Sequence, residues 1–220
     1  MALTAVNLSP SNAAAAMTSI PSHPQRNTIR LQLRQNPLLA ALRRDQWEEL
    51  EPLLIVGDHP KGDHLVHQGD EEMEQIFILD GMLKRVVSNP EGREMILRFA
   101  GDTEMDTSYA AWRLRRPIPY SIVAVTRVRT AQVPMAQWVE FLSRHAELKA
   151  RFEYEVMKLM SEVMAHTITL HLLDAPGRLS RFHRKHPELA GRIPKKELAA
   201  YLNLTPETLS RLKRRFGRDF

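Results

Sequence analysis

A chain of 220 residues with 43% hydrophobic content is long enough for one ordinary domain and a small second one, each with its own core. The formal charge of +5 is unevenly spread: residues 174–220 carry 12 Lys/Arg against 5 Asp/Glu, which leaves 19 against 21 for everything before them. The absence of cysteine excludes disulfides, thiolate zinc sites and iron–sulfur ligation together. No apolar run approaches the roughly 20 residues that span a bilayer.

The basic C-terminal piece points to a polyanion partner, because each phosphate met by Lys or Arg releases condensed counterions; a solvated basic tail is the other reading of charge alone. Residues 1–26 lack the basic start and continuous apolar core of a signal peptide, since Arg26 is the first positive side chain and Ser, Asn and Pro interrupt the Ala13–Ala16 run. They read as a disordered leader, and a cytoplasmic location fits.

From about Asn27 to Leu54 the spacing is helical, with Leu39, Leu42, Trp47, Leu50 and Leu53 on one side. The period then changes to two. "DHPKGDHLVHQGD", "EQIFILDGMLKRVVSNPEGREMILRFAGD" and "SIVAVTRVRTAQVP" read as short strands, punctuated by turns at Gly57-Asp58, Gly69-Asp70, Asp80-Gly81, Asn89–Gly92 and Gly101-Asp102. So dense a run of turns predicts an α+β chain whose residues 27–145 form an antiparallel β-roll or jelly roll.

Past Pro134 the period is helical again. Phe152, Val156, Leu159, Val163, His166 and Leu170 recur at steps of four and three, a heptad seam that predicts a dimerisation helix over 146–173. Packing of the stripe against the chain's own barrel is the alternative. His166, the polar member, reads as a register-fixing residue or one facing away, with a pH-switch role conceivable. Pro176 in "LDAPGR" ends this helix and opens the next, which makes 173–177 a hinge.

Residues 174–220 then give three short helices. Thr205 is an N-cap and Pro206 a first helical residue, and the bend at Asn203-Leu204 completes helix-turn-helix spacing after Pro194. On the last helix Leu209, Leu212 and Phe216 form the buried face, while Glu207, Ser210, Arg211 and Arg214 share another. Arg pairs with guanine O6 and N7, Glu accepts from cytosine N4, and Ser serves either role. Lys195, Lys196, Lys213 and Arg215 flank them for phosphate contact, which positions without specifying.

"QGD", "IFILDGMLKRV", "PEGREMILRFAGD", the long helix and "ELAAYLNLTPETLSRLKRR" together resemble the CRP/FNR family of bacterial transcription regulators, from about Asn27 to the C-terminus. The resemblance implies a cyclic-nucleotide-binding-like β-roll, a dimerisation helix and a winged helix-turn-helix. It also implies double-stranded DNA, a second copy of the chain and RNA polymerase as partners, with no catalytic residues. The string "ETLSR" resembles the FNR-type recognition helix, which assigns base reading to Glu207, Ser210 and Arg211. The chain departs from the pattern where it stops at Phe220, without the hairpin wing that usually follows this helix.

A second departure concerns the effector. Relatives that bind cAMP carry a Glu and an Arg-Ser/Thr pair for the cyclic phosphate; here Asp106 stands near the Glu position and Tyr120-Ser121 stands where Arg-Ser belongs. Losing the cation removes most of the charge-assisted bonding, which argues against cAMP. Arg113, Arg115 and Arg116 suit a phosphorylated ligand such as a cyclic dinucleotide, or are a solvated loop tip. Haem or another metal needs converging histidines. His64 and His67, at i and i+3 of a strand, point to opposite faces, and His183 and His186 lack a third ligand.

The reading is a homodimeric DNA-binding regulator controlled by an unidentified effector of the β-roll, acting through the hinge. A cupin-like metal-dependent enzyme with an appended basic module is the alternative from another class, and a DNA binder without any ligand is a third possibility.

Overall fold

The computed structural model describes residues 17–216 apart from 93, 188 and 190. Among the described residues, β1 (Thr18–Ser19) leads into a helical entry of α1 (Arg26–Leu33) and α2 (Arg44–Leu50), and eight strands follow: β2 (Ile55–His59), β3 (His64–Val66), β4 (Glu74–Asp80), β5 (Leu83–Ser88), β6 (Glu94–Ala100), β7 (Met105–Thr107), β8 (Ser121–Ala124) and β9 (Val128–Pro134). Helix α3 (Tyr109–Leu114) interrupts them, and α4 (Met135–Ser143) and α5 (Ala146–Leu172) follow. The C-terminal unit is α6 (Ala175–Lys185), α7 (Lys195–Tyr201) and α8 (Pro206–Phe216).

The strands form two antiparallel sheets, β1-β2-β9-β4-β7 and β3-β8-β5-β6, which is the expected β-roll. Its interior is filled by Val66, Ile76, Ile78, Leu83, Ile118 and Ile122. A second core lies where α4 and the first turns of α5 cover the five-stranded sheet. There Trp138 meets Phe77 and Phe152 edge to face, at centroid distances of 5.6 and 5.4 Å. All three are fully buried, each contributing roughly 2–3 kcal/mol by removal from water.

Three expectations from the sequence are sharpened or corrected. The helical pattern over 27–54 is divided between two α-helices, because Pro37 interrupts it and Asn36 turns inward. The Asn36 Oδ1 accepts from the Leu38 and Leu39 amides, and its Nδ2 donates to the Thr103 carbonyl at 2.8 Å. Gly57-Asp58 is not a turn but the middle of β2; a Cβ on Gly57 would lie 2.9 Å from the His59 imidazole, and the turn falls at Gly62, with φ 88°. The leader ends before residue 26: Thr18-Ser19 pairs with β2, and Ile20 is fully buried beneath it. Residues 1–16 lie outside the described part.

Candidate functional site

The last two helices are held in a helix-turn-helix by local rules. Asn203 takes the left-handed conformation, φ 52°, and the Leu204 amide donates to the Ala199 carbonyl at 2.8 Å, which closes α7. The Thr205 hydroxyl accepts from the Thr208 amide at 3.2 Å, the N-cap bond expected of it. Leu209 and Leu212 are buried as expected, while the side chain of Phe216 and residues 217–220 lie outside the described part.

Glu207, Arg211, Arg214 and Arg215 are exposed on α8, and Lys195 and Lys196 are exposed at the start of α7. Lys213 is half-buried. The Glu207 carboxyl is held below its usual range by its own backbone amide and then by the Thr205 hydroxyl, so it stays an acceptor. Ser210 is less free than its spacing suggested: its hydroxyl donates back to the Pro206 carbonyl at 2.7 Å, which leaves the oxygen as an acceptor only. No strand follows Pro134 among the described residues.

The unit does not hang free. Its core of Leu179, Phe182, Ile193, Leu198, Tyr201 and Leu209 is continuous with Met82, Val86, Ile96, Phe99 and Val123 on the outer face of the four-stranded sheet. Lys84 of β5 donates to Glu197 of α7 at 2.8 Å, and Arg192 to Asp102 at 2.8 Å. The segment expected to be a hinge is tied as well: the Asp174 carboxylate caps α6 through the Gly177 amide at 2.9 Å. Arg178 then joins two helix ends, with Nε donating to the Leu173 carbonyl at 2.8 Å and Nη1 to the Leu202 carbonyl at 3.1 Å.

Four of the six residues expected in a dimer seam on α5 are buried within the protomer itself. Phe152 and Val156 are part of the protomer's own core, and Leu159 is buried beside Asn36, Leu38 and Arg98. His166 is buried against Tyr201 of α7, and Val163 and Leu170 are half-buried. Phe152, Val156, Leu159 and His166 thus lie on the face that packs on the barrel and the helix-turn-helix. A second stripe with the same spacing, Tyr154, Met157, Ser161, Met164 and Ile168, faces solvent, with Met164 65% exposed. Two faces of one helix both carry heptad spacing, and the sequence does not say which is free.

The residues assigned to an effector are not brought together. Tyr120 and Ser121 are buried in the roll: the Tyr120 hydroxyl donates to the Thr107 carbonyl at 2.8 Å, and the Ser121 Oγ accepts from the Gln68 amide at 2.9 Å. Arg113, Arg115 and Arg116 instead line an outer cleft of about 580 Å³ with Trp112, Met73 and Glu71. Arg113 reaches back to the Tyr109 hydroxyl at 2.7 Å, and that hydroxyl donates to Glu153 of α5 at 2.9 Å, so the cleft is wired to the long helix.

Sequence reasoning missed the charged centre of the roll. Arg85 and Arg98, both buried, converge on the buried Asp106, and the Arg85 guanidinium lies 4.0 Å above the Tyr120 ring. The signal was present in "MLKRVV": Arg85 has the same strand parity as the buried Leu83 and so points inward. A second correction concerns His64 and His67, whose rings stack 4.8 Å apart instead of facing opposite ways, because β3 ends at Val66 and carries an irregularity. Among the described residues no group of three or more His, Asp or Glu is placed to hold a metal, and the cupin alternative finds no support.

Residues 58–145 match the family model of the cyclic nucleotide-binding domain. Among solved structures, a transcriptional regulator of the CRP/FNR family from Eubacterium rectale aligns over 83% of this chain and 87% of its own, with TM-score 0.67 and 18% identity. FixK2 from Bradyrhizobium japonicum aligns over 73% and 83%, with TM-score 0.65 and 15% identity. The c-di-GMP responsive regulator CLP from Xanthomonas campestris aligns over 79% and 91%, with TM-score 0.64 and 14% identity. No curated protein sequence matches the chain.

The roll is therefore similar to a cyclic nucleotide-binding domain over residues 58–145. With the long helix and the helices that follow it, the chain has the fold of the CRP/FNR transcription regulators.

Proposed function

We propose that this chain is a homodimeric, sequence-specific DNA-binding transcription regulator of the cytoplasm. The observation that carries the reading is α8: a capped helix with Glu207, Arg211, Arg214 and Arg215 exposed on it, backed by Leu209 and Leu212 and flanked by Lys195 and Lys196. Such a helix enters a major groove with charged side chains leading. Arg211 and Glu207 read bases, Ser210 accepts, Thr205 and Arg214 lie beside them, and Lys195, Lys196, Lys213 and Arg215 hold phosphates.

Two copies associate through the solvent-facing stripe of Tyr154, Met157, Met164 and Ile168, whose heptad spacing fits a parallel partner of the same sequence. The symmetry of that pair calls for a palindromic site. RNA polymerase is the recipient of the regulatory signal in this reading, and no residue is given a catalytic role. Control by an effector falls to the outer cleft of Trp112, Arg113, Arg115 and Arg116, which suits a phosphorylated ligand. Its occupancy would pull on α5 through Tyr109 and Glu153 and shift the hinge at 173–177 between two arrangements. Anisotropy of labelled duplex DNA against salt tests the reading. Binding whose logarithm falls linearly with log salt, with a slope of about −4 or steeper, supports it. Absence of binding at low salt contradicts it.

A further inference from the structure

Arg85 of β5 and Arg98 of β6 are register partners, directly opposite across the ladder. Like charges so placed repel, and both are buried, with 2% and 8% of their surface exposed, so an anion must lie between them. It comes from the other sheet. The Asp106 carboxylate of β7, 1% exposed, accepts from the Arg85 Nη2 on one oxygen and from the Arg98 Nη1 at 3.2 Å on the other; the Thr107 amide adds a bond at 2.8 Å.

The surroundings are those of a ligand site. Arg85 also donates to the Thr107 carbonyl at 3.2 Å, Arg98 to the Met105 carbonyl at 3.1 Å and to Glu104 at 3.1 Å. Tyr120 covers the Arg85 guanidinium face, and the Ser108 hydroxyl is buried beside the Tyr120 phenol. The Arg85 Nε is buried with no partner, a donor that the carboxylate leaves unused. Two guanidiniums, a backbone amide and an aromatic lid form a cradle for a carboxylate or phosphate.

We propose that the interior of the roll is an anion-binding site occupied by the chain's own Asp106, so that the domain is complete without an exogenous anion and acquires a site for a small carboxylate when that side chain is removed. The chain carries its internal ligand on β7, next to α3, and thereby fixes α3 against the roll. An anionic effector is excluded from the interior by the carboxylate already there. This inference stands on the geometry of the roll and does not depend on DNA binding.

The test is chemical rescue. Asp106→Ala removes a carboxylate and leaves a space of that size; formate is the missing group. Melting temperatures are measured in sodium formate and in sodium chloride at equal ionic strength, for the full chain, for Asp106→Ala, and for Arg85→Met with Asp106→Ala. The expected result is a saturable rise of about 5 °C or more in formate for Asp106→Ala, and the same small response in both salts for the other two proteins. Equal responses of Asp106→Ala to formate and chloride overturn the proposal. So does a rescue that persists without the Arg85 guanidinium, or an Asp106→Ala chain that fails to fold in formate at any concentration.

Discussion

The imidazole of His166, on α5, lies flat on the phenol ring of Tyr201, on α7, with centroids 3.7 Å apart and planes 1° from parallel. The contact joins the long helix to the helix that precedes α8. Burial pushes the His166 imidazole down to about 4, with Lys185 and His186 adding to the effect, while Arg178 and Arg181 line the same small cavity. His166 is therefore neutral in the folded chain near neutral pH.

A pH dependence follows with a definite sign. The unfolded chain takes up the His166 proton near pH 6.5, whereas the folded chain resists it down to about 4. The contribution to stability is complete above about 6.5 and is lost as pH falls toward 4, by on the order of 3 kcal/mol. Urea unfolding of His166→Phe, compared with the parent chain across that range, should show this part of the slope removed. Parallel pH curves for the two proteins would contradict the account.

The two faces of α5 separate by mutation. Met164→Glu places charges on the exposed stripe and should give monomers in light scattering, with an unfolding midpoint close to that of the parent at low concentration. Phe152→Ala empties part of the protomer's own core and should cost about 3–5 kcal/mol while leaving the association surface intact. A dimer unaffected by Met164→Glu would move the interface elsewhere.

Docking of the helix-turn-helix on the roll rests partly on Lys84 and Glu197, whose side chains are 12% and 21% exposed. A double-mutant cycle with Lys84→Met and Glu197→Gln should give a coupling of about 1–2 kcal/mol, above the value for an exposed pair. A coupling near zero would mean that the apolar contact of Phe99, Phe182 and Tyr201 holds the unit alone.

Much of this was legible in the sequence because local rules govern it. The strand period and the turns at Asp80-Gly81 and Asn89–Gly92 give the roll, and Thr205-Pro206 gives the start of α8, each from backbone chemistry within a few residues. What failed depends on contacts distant in sequence. Which stripe of α5 meets its own barrel is decided by Trp138 and Tyr201, fourteen residues before Phe152 and thirty-five after His166. The Arg85–Asp106 pair is written on two strands in different sheets, and strand parity marks Arg85 as inward without naming its partner. Pro37 was visible in the pattern over 27–54, but the inward Asn36 that fixes the break bonds to Thr103.

On α8, positioning and reading should divide between side chains. Lys213→Ala should weaken binding to all sequences alike and reduce the salt slope by about 1, as loss of one phosphate contact does. A change of base preference in that variant would assign Lys213 to reading instead.

The central claim is that α8 reads DNA, and selection of bound duplexes from a random pool, with the parent chain and with Arg211→Ala in parallel, tests it most directly. The account predicts an inverted repeat resembling TTGAT followed by ATCAA, with half-sites one helical turn apart, roughly 34 Å. It predicts for Arg211→Ala a loss of about 1–3 kcal/mol with relaxed preference at one guanine of each half-site. A pool without a palindrome, or an Arg211→Ala pool with the parent's preference at every position, would contradict it.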